Sequence, residues 1–417
     1  MKRSHAVGGG GRFLSSKLRR FFGTGDSWKV VPGVADIASE MKEWRHDFHA
    51  NPELAFQEHR TSQLVAERLE SWGIKVTRNV AQTGVVGTLE GKLSPGSRSV
   101  GLRADMDALP MEEENDFAHR STVPGRMHGC GHDGHTTMLL GAAKYLAESR
   151  DFAGTVHFIF QPAEEEFGGG MYMVEEGLFE RFPCDAIFGM HNWPLMKAGE
   201  VSVRTGPIMA SADEFNIKIF GKGGHAAMPH LTVDPIAIGA TTITALQNVV
   251  SRKNDPLKPG VLSVTTFHAG SAHNVIPDMA ELQGTIRTLD EETRTDMVDT
   301  LKRMTRQVVE GMGGTCEIEL IPGYPVTAND SEESEFVASV ASSVVGAENV
   351  YRNVAPTMGA EDFSYMLQKV PGCYLWLGQG QTDDDPMVHH PLYDFNDDVA
   401  PLGSSLLVRI VEEYLEA

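Results

Sequence analysis

The sequence has few cysteines and no long apolar run, and both features narrow the class of protein. Its 417 residues include four cysteines, which lie far apart and form no Cys-x-x-Cys pair. This pattern fits a reducing compartment better than a disulfide framework, and it predicts a cytoplasmic location. No stretch approaches the roughly 20 apolar residues that a membrane-spanning helix needs, so we expect no membrane partner.

Basic side chains are also scarce. The chain has 36 Lys and Arg against 57 Asp and Glu, a formal net charge of −21, which argues against nucleic acid or an anionic membrane surface as a partner. The charge is uneven, because residues 1–30 carry seven basic side chains and only one acid, Asp26. We expect this segment to be a flexible basic extension, with a transit peptide as the alternative; it lacks the apolar region of a secretory signal.

Strand and helix patterns alternate in the first half of the chain. The predicted helices span 34–49, 58–72 and about 135–147, and the predicted strands span 74–77, 84–89, 99–102, 154–160 and 185–190. This alternation predicts an α/β fold with a mostly parallel central sheet and helices on both faces. Open sheets of this kind place their active sites beyond the carboxyl ends of the strands. Ionisable residues stand there after three strands: Asp105 and Asp107, Glu164 to Glu166, and His191.

The pattern changes near Ser211. Residues 210–322 predict the order β-α-β-β-α-β, which is that of a ferredoxin-like α+β unit. Signals of the earlier kind resume after Pro325, so we expect an insertion that divides a catalytic, metal-binding domain into residues 31–209 and 323–417. The outer strand of the insertion would be an exposed edge. Two-fold pairing through that edge would cover it, which predicts a homodimer or a higher homo-oligomer.

The segment His128–His135, HGCGHDGH, concentrates three histidines, a cysteine and an aspartate in eight residues. Its three glycines allow a tight fold, and Cys130 and His132 lie two apart, so both can face one metal ion. Asp133 stands where the N-cap of the next helix is expected. Further ligand candidates are Glu164 or Glu165, His191, and His389 or His390. Each also fits an ordinary role, as a cap, a solvated acidic run or a buried histidine, and spacing alone does not choose.

Nine segments of the chain occur in the same order in one known family. From about Ala35 to the C-terminus, the sequence resembles the M20 metallopeptidases, specifically the amidohydrolase branch that contains hippurate hydrolases, N-acyl-amino-acid deacylases and plant auxin-conjugate hydrolases. The segments that carry the resemblance are RADMDALP, HGCGHDGH, QPAEE, GMHNWP, GKGGHAAMPH, HNVIPD, GTIRT, GAEDF and HHPLYDFND. Nine ordered motifs make this resemblance highly specific.

The resemblance implies metal-dependent hydrolysis. Activated water would cleave the amide C–N bond of an N-acyl amino acid or aryl amide, a small and carboxylate-bearing substrate. Two divalent ions per subunit, manganese or zinc, would activate the water. By resemblance, Glu164 would be the general base. The implied metal ligands are Cys130, which would bridge the two ions, His132, Glu165, His191 and His389.

The resemblance also implies roles outside the set of metal ligands. Asp105 and Asp107 would orient or assist the ligands. The inserted unit would be a lid and dimerisation domain, whose histidine and amide could polarise the scissile carbonyl while its arginine grips a carboxylate. The positions implied to contact substrate are His225, Asn274, Arg287 and Glu361. His225 would stabilise the oxyanion, from the same chain or from the lid of a second subunit.

Two other functions stay open at this point. The same metals and base could deaminate a small aromatic amine, such as an anthranilate-like compound, by attack of water on a ring carbon. A catalytically inactive binding paralogue is the third reading, and it predicts a broken ligand set. Every ligand position is filled in this chain, which argues against the inactive paralogue.

Overall fold

The computed structural model describes residues 28–93, 96 and 98–416. Nearly all of the expected basic extension, residues 1–27, therefore lies outside the described residues. The chain that follows is already packed, since the backbone N–H of Lys29 donates to the carbonyl of Val344 at 2.8 Å. Within the described residues, no helix is both long enough and apolar enough to cross a bilayer.

Strands and helices alternate along most of the chain. The strands are β1 (Lys75–Val80), β2 (Gly84–Glu90), β3 (Ser99–Asp105), β4 (Thr155–Gln161), β5 (Ala186–Lys197), β6 (Val201–Val203), β7 (Gly206–Met209), β8 (Asp213–Phe220), β9 (Gly224–His225), β10 (Gly260–Ala269), β11 (Val275–Ile276), β12 (Met279–Thr288), β13 (Thr315–Pro322), β14 (Thr327–Asn329), β15 (Val350–Arg352) and β16 (Gly372–Gly380). The α-helices are α1 (Pro32–Ala35), α2 (Ala38–Ala50), α3 (His59–Ser71), α4 (His132–Ser149), α5 (Gly169–Glu175), α6 (Leu178–Arg181), α7 (Pro235–Asn248), α8 (Glu291–Gly311), α9 (Ser331–Val345), α10 (Phe363–Leu367) and α11 (Ala400–Tyr414).

The larger sheet has eight strands in the order β1-β2-β4-β3-β5-β16-β6-β15. Its centre is parallel, because β3 pairs in parallel with β4 and β5, and β5 with β16. Alternate residues of a strand point to opposite faces. In β16, Leu375 and Leu377 enter the core under α2, α4 and α11, while Tyr374 and Trp376 enter the core under α5 and α10. The predicted α/β class with helices on both faces is confirmed.

A second sheet lies within the predicted insertion. Its four antiparallel strands have the order β10-β12-β8-β13. The last of the four in the sequence, β13, therefore lies beside the first, β8, as in a ferredoxin-like unit. Helices α7 and α8 pack on this sheet. The unit has its own core, which includes Ile217, Leu282 and Leu301. The domain limits at 209/210 and 322/323 stay a prediction.

Two local predictions near the candidate ligands were wrong. Helix α4 begins at His132, and Gly131 rather than Asp133 is its N-cap. Gly131 has φ 95°, a left-handed conformation that glycine adopts without strain, and the Asp133 carboxylate instead contacts His49 Nδ1 at 2.8 Å. Strand β5 continues to Lys197, so His191 lies inside the strand and not after its end.

Candidate metal centre

Five predicted ligand side chains converge at the carboxyl end of the parallel strands. Two sets of donor atoms each lie within 4.8 Å of one another: one joins Cys130, His132 and His191, the other joins Cys130, Glu165 and His389. Because Cys130 belongs to both sets, its sulfur atom is placed where it could bridge two ions. Which residues bind metal stays a prediction.

Unpartnered donor atoms test whether this cluster suits a cation. His132 Nε2 and Glu165 Oε1 are buried and lie 3.8 Å apart, and neither has a hydrogen-bond partner among the described residues. Buried polar atoms are rarely left unsatisfied in proteins. Cys130 Sγ lies 3.4 Å from His191 Nε2, so sulfur, nitrogen and oxygen donors meet at one place. This donor set fits divalent transition metals.

Backbone carbonyls orient two of the imidazoles. His132 Nδ1 lies 2.9 Å from the carbonyl oxygen of Asp107, and His191 Nδ1 lies 2.7 Å from that of Asn192. A carbonyl can only accept a hydrogen bond, so Nδ1 carries the proton in each ring. The lone pair of each Nε2 is then free for a metal ion, which is the usual arrangement of liganding histidines.

The histidine at position 389, and not its neighbour, faces the cluster. His389 Nε2 lies 3.5 Å from Glu165 Oε1, and its backbone N–H donates to the carbonyl of Gly129 at 2.7 Å. His389 has φ 66°, an uncommon conformation for a residue with a side chain, and the ring is half exposed. His390 Nδ1 instead accepts from the N–H of Leu392 at 3.1 Å.

Asp107 fixes the turn that carries the two glutamates. Its Oδ1 and Oδ2 accept the backbone N–H groups of Glu164 and Glu165, both at 3.0 Å. The Glu165 carboxylate reaches the donor cluster, and the Glu164 carboxylate lies between it and a buried acidic pair: its oxygens lie within 4.8 Å of ligand atoms of His132 and Glu165 and also of Glu361 and Asp362. Burial, with the charges of Glu361 and Glu165, raises the pKa of Glu164 well above its ordinary value.

Arg103 holds Asp105 and Glu361 in place, a role that was not predicted from the sequence. Arg103 is fully buried and donates to Asp105 Oδ2 at 2.7 Å and to Asp362 Oδ1 at 2.8 Å, and it lies 2.9 Å from Glu361 Oε1. Tyr374 donates its hydroxyl to the other oxygen of Glu361. The signal in the sequence was an arginine inside the apolar strand β3, because such a charge must find buried partners.

His135 and Asn192 form a second supporting pair, in which the role of Asn192 was not predicted from the sequence. His135 Nδ1 lies 2.6 Å from Asp105 Oδ1, and His135 Nε2 lies 2.6 Å from Asn192 Oδ1. Asn192 also donates to the Tyr393 hydroxyl at 2.8 Å. His135 therefore links the strand end at Asp105 to the strand segment that carries His191.

The predicted substrate contacts of the inserted unit lie apart from this cluster. His225 on β9 pairs with Val275 on β11, the residue after Asn274, and both His225 and Asn274 are exposed. Arg287 is half buried on β12, and its Nε donates to Thr285 Oγ1 at 3.2 Å. In residues 28–93, 96 and 98–416, no hydrogen bond or ion pair joins these three side chains to the metal ligands. Glu361 is 1% exposed beneath Glu164, so its predicted contact with substrate stays untested.

Comparisons with known proteins agree with this chemistry. A family model described as Peptidase family M20/M25/M40 matches residues 101–413. The chain is 38% identical over 387 residues to the hippurate hydrolase of Campylobacter jejuni, and this alignment covers 93% of this chain and 100% of that protein. It is 46% identical over 301 residues to the N-acyl-L-amino acid amidohydrolase of Geobacillus stearothermophilus, and this alignment covers 72% of this chain and 80% of that protein.

A solved structure matches over nearly the whole length. The dinuclear metal binding peptidase of the M20 family from Bacillus subtilis has a TM-score of 0.79 and 33% sequence identity, over 92% of this chain and 99% of that chain. The family model covers most of the chain, and the relatives exceed 30% identity over long alignments. The chain therefore belongs to peptidase family M20/M25/M40, as its nine ordered motifs predict.

Proposed function

We propose that the chain is a metal-dependent amidohydrolase that cleaves the amide C–N bond of N-acyl amino acids or related aryl amides. The observation that carries this proposal is the place of Glu164, whose carboxylate lies within 4.8 Å of ligand atoms of His132 and Glu165, one from each of the two candidate donor sets that share Cys130. The names of the two relatives support the substrate class, since one is a hippurate hydrolase and the other an N-acyl-L-amino acid amidohydrolase.

The chain's own residues divide the work. Cys130, His132, Glu165, His191 and His389 would hold two divalent ions, zinc or manganese, with the thiolate favouring zinc. When bound, such ions lower the pKa of water and polarise a carbonyl. Glu164 takes the proton of the attacking water and returns it to the leaving amine nitrogen. Asp107 accepts the backbone N–H groups of both glutamates, which fixes the position of the ligand Glu165 relative to the base Glu164.

The proposal includes a homodimer. Helix α7 has no charged residue among its 14, and its exposed face presents Ala237, Ala240, Thr241 and Thr244. Strand β10, at the sheet edge, packs against this helix. An uncharged helix face beside an open strand edge suits a second copy of the same chain. In such a dimer, His225, Asn274 and Arg287 would reach the partner's substrate. We also propose a cytoplasmic location, because the four cysteines lie far apart in the sequence and form no Cys-x-x-Cys pair.

Replacing the proposed base tests this function. Glu164→Gln keeps the shape of the side chain but cannot accept a proton, so we expect unchanged metal content and a loss of turnover of about 10²- to 10⁴-fold. Glu166→Gln is the matched control, because Glu166 is exposed in the same acidic run. Hydrolysis of hippurate and N-acetyl amino acids is measured with zinc and with manganese.

Two outcomes would contradict the proposal. Full activity of Glu164→Gln would remove the base. Release of ammonia from an aromatic amine, with no cleavage of any N-acyl amino acid, would favour the deaminase.

A further inference from the structure

The chain passes between the large-sheet unit and the inserted unit twice, at residues 210–213 and 322–325. These two passages lie side by side, since the N–H of Ala212 donates to the carbonyl of Tyr324 at 2.8 Å. Helix α8 of the inserted unit forms hydrogen bonds with both of these connecting segments. Arg294 donates to the two oxygens of Asp213 at 2.7 and 2.6 Å and to the carbonyl of Gly323 at 3.4 Å. The position of Tyr324 is therefore set by the inserted unit.

Tyr324 also reaches into the candidate metal centre. Its hydroxyl donates to the backbone carbonyl of Glu164 at 2.6 Å. The N–H of Glu164 is held by Asp107 at 3.0 Å, so the backbone of this residue is fixed at both ends. One restraint comes from the large-sheet unit and the other from the passage into the inserted unit.

The turn around Glu164 is shaped to fit against Tyr324. Gly168 has φ 69°, and a Cβ placed there would lie 3.2 Å from the Tyr324 ring and 3.7 Å from the Tyr365 ring. The N–H of Gly169 donates to the carbonyl of Ala163 at 2.9 Å and closes the turn. A shift of Tyr324 is thus transmitted to a short, closed turn whose second residue is Glu164.

We propose that Tyr324 is a positioning residue, which sets the backbone of Glu164 and couples the orientation of the inserted unit to the general base. This inference rests on the proposed role of Glu164. The hydroxyl is a permanent donor, because burial and the charges of Asp362 and Glu164 raise the pKa of Tyr324 well above its ordinary value. When the inserted unit closes over a substrate, Tyr324 would then bring the backbone of Glu164 to its catalytic position only in the correctly closed state.

The matched pair Tyr324→Phe and Tyr365→Phe separates positioning from support of the passage. Tyr365 donates its hydroxyl to the carbonyl of Gly323 at 3.1 Å, so it anchors the same passage without touching Glu164. We expect Tyr324→Phe to lower kcat by about 10- to 100-fold, because small misplacements of a catalytic group are costly. KM and the metal content should change little, and Tyr365→Phe should keep a kcat close to that of the wild type. Melting temperatures check that both variants are folded.

The activity of a double variant distinguishes positioning of Glu164 from simple structural support by Tyr324. If Tyr324 acts through Glu164, adding Tyr324→Phe to Glu164→Gln costs no further activity, whereas independent effects would multiply. Equal losses in Tyr324→Phe and Tyr365→Phe, or wild-type kcat in Tyr324→Phe while Glu164→Gln is inactive, would overturn the inference and leave the proposed function standing. A wild-type chain that hydrolyses no N-acyl substrate would overturn both.

Discussion

Asp107 makes three contacts that together define the candidate metal centre. Its two oxygens accept the N–H groups of Glu164 and Glu165, while its Oδ1 also lies 3.3 Å from His132 Nδ1. The side chain is buried. A carboxylate in this place orients one imidazole and two neighbouring glutamates at once, which is how outer residues tune a metal site.

We expect Asp107→Asn to weaken metal binding by about 10- to 100-fold. The amide nitrogen of the variant cannot accept a hydrogen bond, so the N–H of either Glu164 or Glu165 loses its partner. Calorimetric titration of the metal-stripped chain with Zn²⁺ and with Mn²⁺ measures the change. Asp116→Asn removes the same charge at an exposed position and serves as the control. Equal affinities in the two variants would show that Asp107 does not organise the site.

The sequence predicted the residues that share a short segment better than those that meet across the fold. Cys130 and His132 were proposed as ligands because a histidine and a cysteine two apart can face one ion, and the structure brings their donor atoms together. The partners of Arg103 were not found, since Asp362 lies 259 positions away. Tyr324 was missed for the same reason, because its contact with Glu164 spans 160 positions and involves a backbone carbonyl that no sequence pattern marks.

Helix α4 is the element on which the centre depends. It begins at His132, two residues after Cys130, and Gly131 between them has a left-handed conformation. The sequence favoured Asp133 as the cap, because aspartate is a good cap and glycine is a weaker signal. Tertiary contacts overrode that preference, since the Asp133 carboxylate pairs with His49 and lies 3.7 Å from Arg45.

Gly131→Ala should disrupt this start of the helix. A Cβ at Gly131 would lie 2.2 Å from Asn192 Oδ1 and 2.5 Å from the Tyr393 hydroxyl, so the strand segment beside His191 must shift. Gly125→Ala is the control, because Gly125 has φ 72° but, apart from its chain neighbours, no described residue has an atom within 4 Å of an added Cβ. Both variants carry a backbone cost of about 1 to 2 kcal/mol, and only Gly131→Ala adds a clash.

Urea unfolding and metal analysis distinguish the two glycine variants. Gly125→Ala should lose only the backbone cost in the free energy of unfolding and should bind metal normally. Gly131→Ala should lose more stability and most of its metal. If Gly125→Ala and Gly131→Ala behaved alike, the close approach of Asn192 and Tyr393 would have no role in holding the centre.

At the scale of the whole molecule, the class of fold could be read from periodicity. Runs such as 154–160 are apolar because strands in the middle of a parallel sheet are buried on both faces. Strand order could not be read, and the three-residue strands β6, β14 and β15 were not predicted. A strand of three residues is too short to show the alternation of apolar and polar residues that identifies longer strands. It forms because a neighbouring strand offers a free hydrogen-bonding edge.

The arrangement of the inserted unit leads to a test of the dimer. His225 is exposed and has no contact with the metal ligands of its own chain within the described residues. If the partner's lid completes each site, His225→Ala and Glu164→Gln should be inactive alone but complement each other when mixed. The mixed dimer pairs an intact catalytic cluster in one subunit with an intact His225 in the other.

After subunit exchange, we expect such a mixture to recover about a quarter of wild-type activity, because half of the dimers are mixed and each has one complete site. His230→Ala, which changes an exposed histidine of the same segment, should stay active by itself and is the control. Gel filtration confirms that the mixture is dimeric. Recovery requires that His225 acts across the interface; a dimeric mixture with no activity would place its function within its own subunit or outside catalysis.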